Sequence, residues 1–216
     1  SLRMRGLILV LFAVGAANAH MGFDGIQAMS VSTLECLKKA GFDFFVARVW
    51  ESIGDYDRTG WQNVKNAHAA GFSRVDGYIF PCHRSSCASP DKQVKATIDQ
   101  MHEHGVKIGT LWLDIENQDW PADHAKNRAF ITAMANAAIA EKVSIGVYTN
   151  PNNWGTIVGN DWTGMDKHPL WWANWNGQQN FNGFTAFGGW HKPEIRQYAG
   201  DVAGPCGVSM DKNWYP

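Results

Sequence analysis

One unit recurs along this chain and limits what it can fold into. Ala40-Gly41-Phe42, Ala70-Gly71-Phe72 and His104-Gly105-Val106 each close a helical stretch and open an apolar run. Glycine is the usual residue just past a helix end, because it takes a positive φ without a Cβ clash. The stretches before these glycines, Ser32–Ala40, Trp61–Ala70 and Asp91–His104, read as helices. The runs after them, Asp43–Val49, Arg74–Phe80 and Val106–Leu113, read as strands. Asp123–Ala140 and Val143–Tyr148 add a further helix and strand. Helix and strand alternating in units of roughly 30 residues predict a parallel sheet with right-handed crossovers. After Asn150 the helical periodicity fades and Gly, Asn and Trp take over. Short apolar pieces remain at Leu170–Ala173, Ile195–Tyr198 and Val208–Met210. About five βα units followed by strands with little helix between them predict an abbreviated TIM-like α/β barrel, since a full eight-fold barrel runs to about 250 residues. An open doubly wound sheet is the alternative, but no Gly-x-Gly-x-x-Gly follows the first strand. No linker rich in Pro or Ser interrupts the chain, so one domain is expected over residues 20–216.

The first residues read as an address. Arg3 and Arg5 give a basic start, Gly6 to Ala17 is apolar, and Ala17-Asn18-Ala19 is a small-x-small cleavage pattern. Together they predict a secretory signal peptide over residues 1–19. Met4 looks like the natural start, with Ser1 to Arg3 upstream of it. The apolar run is too short to span a bilayer, which needs about 20 residues. No other long apolar run exists, so no membrane association is expected of the mature chain, which would be secreted and soluble. Net charge is −1, from 19 Lys and Arg against 20 Asp and Glu. Such a balance argues against a nucleic-acid partner, which requires clustered Lys and Arg. The high aromatic content excludes intrinsic disorder. Cysteine usage fits an oxidising compartment: Cys36, Cys82, Cys87 and Cys206 read as two disulfides with three possible pairings. Cys82 and Cys87 could close a small loop, leaving Cys36 to meet Cys206. Zinc is the rival reading, but the spacings match no zinc pattern.

The sharpest local feature is Leu111-Trp112-Leu113-Asp114-Ile115-Glu116. Residues i and i+2 of a strand share a face, so Asp114 and Glu116 point the same way with Cα atoms about 6.5–7 Å apart. They fall at a strand's C-terminal end, where catalytic groups of α/β barrels collect. Apolar walls and like charge push two such carboxyls to titrate unequally, which is the division of labour that glycosidic cleavage requires. By itself an Asp-x-Glu at a strand end is more often an ordinary loop start. Other predicted strands also end in polar groups, among them Asp24, Glu51, Tyr148, Asn150, Asn174, Gln197, Tyr198 and Asp211. A barrel sets its first strand against its last, so Asp24, Asp114, Glu116 and Asp211 could converge at one mouth. The 11 tryptophans divide between core and cleft, with Trp112 and Trp172 expected on the cleft side.

Several segments match one family in order and spacing. They are Gly22-Phe23-Asp24, Phe45 to Glu51, Gly77-Tyr78-Ile79-Phe80 and Leu113-Asp114-Ile115-Glu116. Gly146-Val147-Tyr148-Thr149, Leu170-Trp171-Trp172-Ala173, Arg196-Gln197-Tyr198 and Met210-Asp211-Lys212-Asn213 follow. The chain resembles glycoside hydrolase family 25, the Chalaropsis-type lysozymes, and within it the members of nematodes and amoebae. The resemblance implies a (β/α)5(β)3 barrel and a retaining N-acetylmuramidase acting on bacterial peptidoglycan, without metal or cofactor and as a monomer. It makes Glu116 the general acid. Asp114 would stabilise developing positive charge or orient the substrate's 2-acetamido group. Asp24 and Asp211 would shape an acidic cleft, and Tyr78, Tyr148, Trp172, Gln197 and Tyr198 would contact sugar. The sequence departs from the family in places. Ile79 stands where many members have His, Arg48-Val49-Trp50-Glu51 is unlike the commoner Lys-x-Thr-Glu form, and Pro81-Cys82 replaces small residues.

Weaker signals carry ordinary readings. His102-Glu103-His104 has no third ligand and reads as an exposed helix end suited to cationic His. No Gly-x-Ser-x-Gly elbow supports a serine hydrolase. Asp43 begins its strand and is expected at the opposite rim, in a stabilising role. The competing functions are a barrel that binds bacterial glycan without cutting it and a hydrolase of a chitin-like amino-sugar polymer.

Overall fold

The computed structural model describes residues 19–216. The expected leader lies outside the described residues except for Ala19. The strands are β1 (His20–Asp24), β2 (Phe44–Glu51), β3 (Asp55–Tyr56), β4 (Arg74–Ile79), β5 (Thr110–Asp114), β6 (Ser144–Thr149), β7 (Leu170–Ala173), β8 (Ile195–Ala203) and β9 (Ser209–Tyr215). The helices are α1 (Val31–Lys39), α2 (Arg58–Ala69), α3 (Pro90–Glu103), α4 (His124–Ala140) and α5 (Pro151–Ile157). The sheet runs β1-β9-β8-β7-β6-β5-β4-β2, and β1 pairs in turn with β2, closing eight strands into a barrel. β3 is a short hairpin partner of β2 outside the ring. All ring neighbours are parallel except β9, which is antiparallel to both β1 and β8. This is the abbreviated α/β barrel that the repeat predicts, with a fifth short helix added.

Local chemistry fixes the helix ends. Ser30, Asp57, Asp123 and Asn150 cap α1, α2, α4 and α5, each side chain accepting from a backbone N–H three residues on. Gly41, Gly71 and Gly105 all take positive φ past α1, α2 and α3, as the recurring unit predicts. The sequence reading leaves α5 out. It also stops β8 and β9 short, placing them at Ile195–Tyr198 and Val208–Met210.

Strand alternation sorts the core into two shells. Outward-facing residues such as Phe23, Phe45, Val49, Leu111, Leu113 and Val147 pack under the helices. Inward-facing residues form a smaller cluster of Phe44, Val46, Trp112, Tyr148, Trp171 and Ile195. The inner space is filled to contact. A Cβ on Gly22 would lie 2.3 Å from the Phe44 ring, and one on Gly146 would lie 2.3 Å from the Trp112 ring. Buried Asp76 braces the floor, accepting from Trp112 Nε1 (3.1 Å), Thr110 N (2.9 Å) and Arg74 Nε (2.8 Å). Trp112 therefore belongs to the packed interior rather than the cleft: it is fully buried and its one polar atom is tied to the floor. Asp43 lies at the entry to β2 and pairs with His20, Oδ2 to Nδ1 at 2.7 Å, at the rim away from the mouth.

Both disulfides take the pairing considered above, Cys36–Cys206 and Cys82–Cys87. The first joins α1 to the short 3-10 turn Pro205–Gly207 between β8 and β9.

Candidate active site

The strand ends deliver the site. Asp24 is the last residue of β1 and Asp114 the last of β5. β9 runs the opposite way, so Asp211 near its start stands at the same mouth, in register with Asp24. Glu116 lies two residues past β5. Its stretch is held as a continuation of the sheet, because Ile115 N donates to Tyr148 O (2.9 Å) and Thr149 Oγ1 donates to Ile115 O (2.7 Å). Trp120 Nε1 donates to the Glu116 carbonyl at 2.9 Å and fixes the turn from behind. Trp120 in turn packs at a tilt against His83, whose burial pushes its pKa down to about 4 and keeps the ring neutral. One pocket of about 200 Å³ is lined by Asp24, Asp114, Glu116, Asp211, Tyr78, Tyr148, Trp171, Trp175 and Gln197.

Two amides organise the pocket. Gln197 Oε1 accepts from Tyr148 Oη and from Trp175 Nε1, both at 2.8 Å. An indole N–H only donates, which fixes the amide's orientation. Gln197 Nε2 must then point at the carboxylates, donating to Asp24 Oδ1 (3.0 Å) and Asp211 Oδ2 (3.3 Å). Asn213 repeats the device: its Oδ1 accepts from Trp171 Nε1 (2.7 Å) and its Nδ2 donates to Asp24 Oδ1 (2.6 Å). Asp211 Oδ1 also accepts from Asp201 N at 2.6 Å. Asp114 differs, because its Oδ1 is buried and has no hydrogen-bond partner among the described residues.

The electrostatics follow from crowding. Burial, then the Asp211 charge, raises the Asp24 carboxyl well above its ordinary range, against the pull of the Asn213 and Gln197 hydrogen bonds. Burial, then the Glu116 and Asp24 charges, does the same to Asp114, with Arg48 opposing. Glu116 is also raised, by burial and by Asp211; it and Asp211 are half-buried, whereas Asp24 and Asp114 are buried. Tyr78 and Tyr148 are raised by burial and by the surrounding carboxylates, so both remain O–H donors. Four carboxylates that share one mouth titrate as a set and retain protons where isolated carboxyls lose them.

Such a site can protonate a leaving oxygen and hold a developing cation. Comparison with known proteins names it. A family model described as Lysozyme-like protein 1 matches residues 15–198. Lysozyme-like protein 5 of Caenorhabditis elegans is 49% identical, covering 97% of this chain and 98% of the relative. Probable GH family 25 lysozyme 4 of Dictyostelium discoideum is 39% identical over 97% of this chain and 98% of its own length. The chain belongs to glycoside hydrolase family 25. A family 25 lysozyme from Aspergillus fumigatus has the same fold, with a TM-score of 0.73 at 21% identity over 92% of this chain and 94% of that one.

In this family 25 barrel the expected residues Asp24, Tyr78, Asp114, Glu116, Tyr148, Gln197 and Asp211 all line the one pocket. Trp172 and Tyr198 do not, which corrects the expectation for both. Trp172 points out of the barrel, buried between the Arg196 guanidinium, 4.6 Å from its ring, and Phe184. Tyr198 also faces outward, next to inward Gln197, and its Oη accepts from Gln179 Nε2 at 3.2 Å. Their neighbours take the places assigned to them: Trp171 lines the pocket and Gln197 organises it. Trp171, Trp175 and Asn213 are the residues missed as site candidates. Trp171 faces inward because it pairs in register with Tyr148, and a strand pair shares its inward positions. Glu51 ends β2 but is absent from the pocket lining and lies 3.9 Å from Arg48.

Proposed function

We propose that this glycoside hydrolase is a secreted N-acetylmuramidase that cuts the β-1,4 bond between N-acetylmuramic acid and N-acetylglucosamine in bacterial peptidoglycan, with net retention. The carrying observation is the pairing of half-buried Glu116 with buried Asp114, whose Oδ1 has no hydrogen-bond partner among the described residues, in one pocket at the mouth of the barrel. Glu116 gives its proton to the bridging oxygen as the anomeric C–O bond breaks. Asp114 Oδ1 is an acceptor waiting for a donor, which the N–H of a 2-acetamido group supplies. So held, the acetamido oxygen attacks the anomeric carbon. Glu116, now a carboxylate, then takes a proton from the water that opens this intermediate, restoring its acid form. Asp24 and Asp211 supply negative potential opposite the developing charge, held in place by Gln197 and Asn213. The names of the relatives support the substrate class. Among the described residues no helix is long and apolar enough to cross a membrane, and two disulfides suit an extracellular or lumenal compartment.

A turbidity assay on bacterial cell walls tests the reading. Glu116→Gln should lower kcat by about 10²–10⁴-fold, the range for losing a general acid. Equal clearing by wild type and variant would remove Glu116 from that role. Binding of walls without release of reducing sugar would favour a glycan-binding barrel, and release from chitin alone would change the substrate.

A further inference from the structure

Pro81-Cys82, where the chain departs from its family, opens the loop after β4 and is absent from the lining of the carboxylate pocket. Cys82 bonds Cys87. A disulfide closing so short a loop removes little entropy from the unfolded chain, so global stability is a weak reason for it. Rim loops are ordinarily among the more mobile parts of a fold. This one is clamped. Gln93 of α3, fully buried, accepts from Cys82 N through Oε1 (2.9 Å). Its Nε2 donates to Cys82 O (2.9 Å) and Ala88 O (2.8 Å), so one amide holds both ends of the loop. Trp50 Nε1 donates to the same Oε1 at 3.1 Å and fixes which way the amide points. On the far side the disulfide rests on Gly54, where a Cβ would come within 2.8 Å of Cys87 Sγ.

The clamped loop presents His83. Its ring lies 3.7 Å from that of Trp120 and 4.8 Å from that of Phe130 on α4, centroid to centroid. Trp120 and Phe130 meet edge to face at 5.5 Å, so the three rings form one cluster. His83 Nε2 is buried without a hydrogen-bond partner among the described residues, so this edge of the ring contributes packing and no hydrogen bond. Trp120 passes the constraint on, because its Nε1 donates to the Glu116 carbonyl at 2.9 Å. Residues 117–119 between them are exposed. The indole is thus the anchor on the C-terminal side of Glu116, as the bonds to β6 are on its N-terminal side.

We propose that the Cys82–Cys87 loop is a clamp for the general acid, with His83 and Trp120 as positioning residues of Glu116, and that this small disulfide serves turnover rather than global stability. The assignment rests on the muramidase reading and extends it to groups that touch no substrate. A shift of about 1 Å in a catalytic group can cost about 10²-fold in rate, so a brace on the backbone of Glu116 matters even at one remove.

The test follows wall clearing, backbone hydrogen exchange and unfolding midpoints of the full chain. Cys82→Ser with Cys87→Ser, Trp120→Phe and His83→Ala should each lower kcat by about 10–10²-fold and leave KM within about threefold of wild type. His83→Phe keeps the packing and gives up no bond at Nε2, so it should return kcat to within about threefold of wild type. His83→Ala combined with Trp120→Phe should cost little more than either alone, because both act along one path. A loosened Glu116 is better hydrated, so the alkaline limb of kcat should move to lower pH, with Asp24, Asp114 and Asp211 still facing it. Exchange over residues 115–120 should rise while residues 144–149 stay protected. Unfolding midpoints confirm that each variant is folded. A disulfide-free variant with the wild-type kcat, losses confined to KM, or fully additive losses at His83 and Trp120 overturn the assignment alone. A wild type that clears no walls overturns the muramidase reading and this assignment with it.

Discussion

Asp114 is the residue at which function and stability conflict. Its carboxyl is buried, one oxygen lacks a hydrogen bond among the described residues, and both Glu116 and Asp24 repel its charge. Its folded pKa is therefore raised above the unfolded value. The native state binds more protons than the unfolded chain between those two values, so stability falls as pH rises through that window. Below the ordinary carboxylate range the penalty is absent. Asp114→Asn removes the charge and keeps the shape. It should raise Tm at neutral pH by several degrees, at about 2–4 °C per kcal/mol for a chain of this size. The gain should vanish near pH 3, and wall-clearing activity should drop sharply. A variant no more stable than wild type at neutral pH would show that Asp114 is not held as an uncompensated charge. Glu116 carries the same sign into activity: its raised pKa keeps the acid form to higher pH than an exposed glutamate would, so the alkaline limb of kcat is expected above the ordinary carboxylate range. These carboxylates were legible in the sequence because strand ends of an α/β barrel converge. The amides that orient them were less so: Gln197 could be placed but not its hub role, and Asn213 stands in the matching segment Met210-Asp211-Lys212-Asn213 without any sign that it holds Asp24.

At the scale of elements, the βα repeat announces α1 to α4 and the strands between them. Glycine stops and apolar runs are local properties that need no tertiary context. α5 escapes because its seven residues, with Gly155 inside, are too few for a periodic stripe, although Asn150-Pro151 is a sound helix start. Face assignment fails where two aromatic residues are adjacent. In Trp171-Trp172 composition cannot say which indole faces in, and only the register with β6 decides it. The outward member has its own task. Arg196, fully buried, lies over Trp172 and donates to the carbonyls of Asn174 (3.1 Å) and Asn180 (2.7 Å) and to Asn176 Oδ1 (2.6 Å). It thereby ties the loop that carries Trp175 back to β8. Lysine has no planar fork to serve those acceptors together. Arg196→Lys should lose about 1–3 kcal/mol in denaturant unfolding and expose the 174–194 segment to proteolysis. It should also raise KM on walls, because Trp175 loses its anchor. Unchanged protease resistance would mean that the loop is held by other contacts.

The whole molecule has one seam, where the chain's first strand meets its last. β1 joins β9 over five register positions, His20↔Tyr215 to Asp24↔Asp211, and joins β2 over three. Asp24 and Asp211 face each other across that seam, so the site is complete only when the barrel closes. Closure is a contact between residues nearly 200 positions apart in sequence, the kind whose loop entropy must be met before any bond forms. Cys36–Cys206 crosses the same boundary with a separation of 170 residues, linking the helix after β1 to the turn before β9. On the chain-entropy account a loop of that length restricts the unfolded state by about 5 kcal/mol, and the five-residue Cys82–Cys87 separation by only about 2. The two disulfides should therefore be unequal. Cys36→Ser with Cys206→Ser should lower stability by about 2–5 kcal/mol and Tm by roughly 5–15 °C. The same change at Cys82 and Cys87 should have at most half that effect. Chemical denaturation of the two double variants decides it. Equal losses would place the stabilisation in local packing around each bridge, and a larger loss at Cys82 and Cys87 would mean that the rim loop, rather than the closing seam, limits the stability of this barrel.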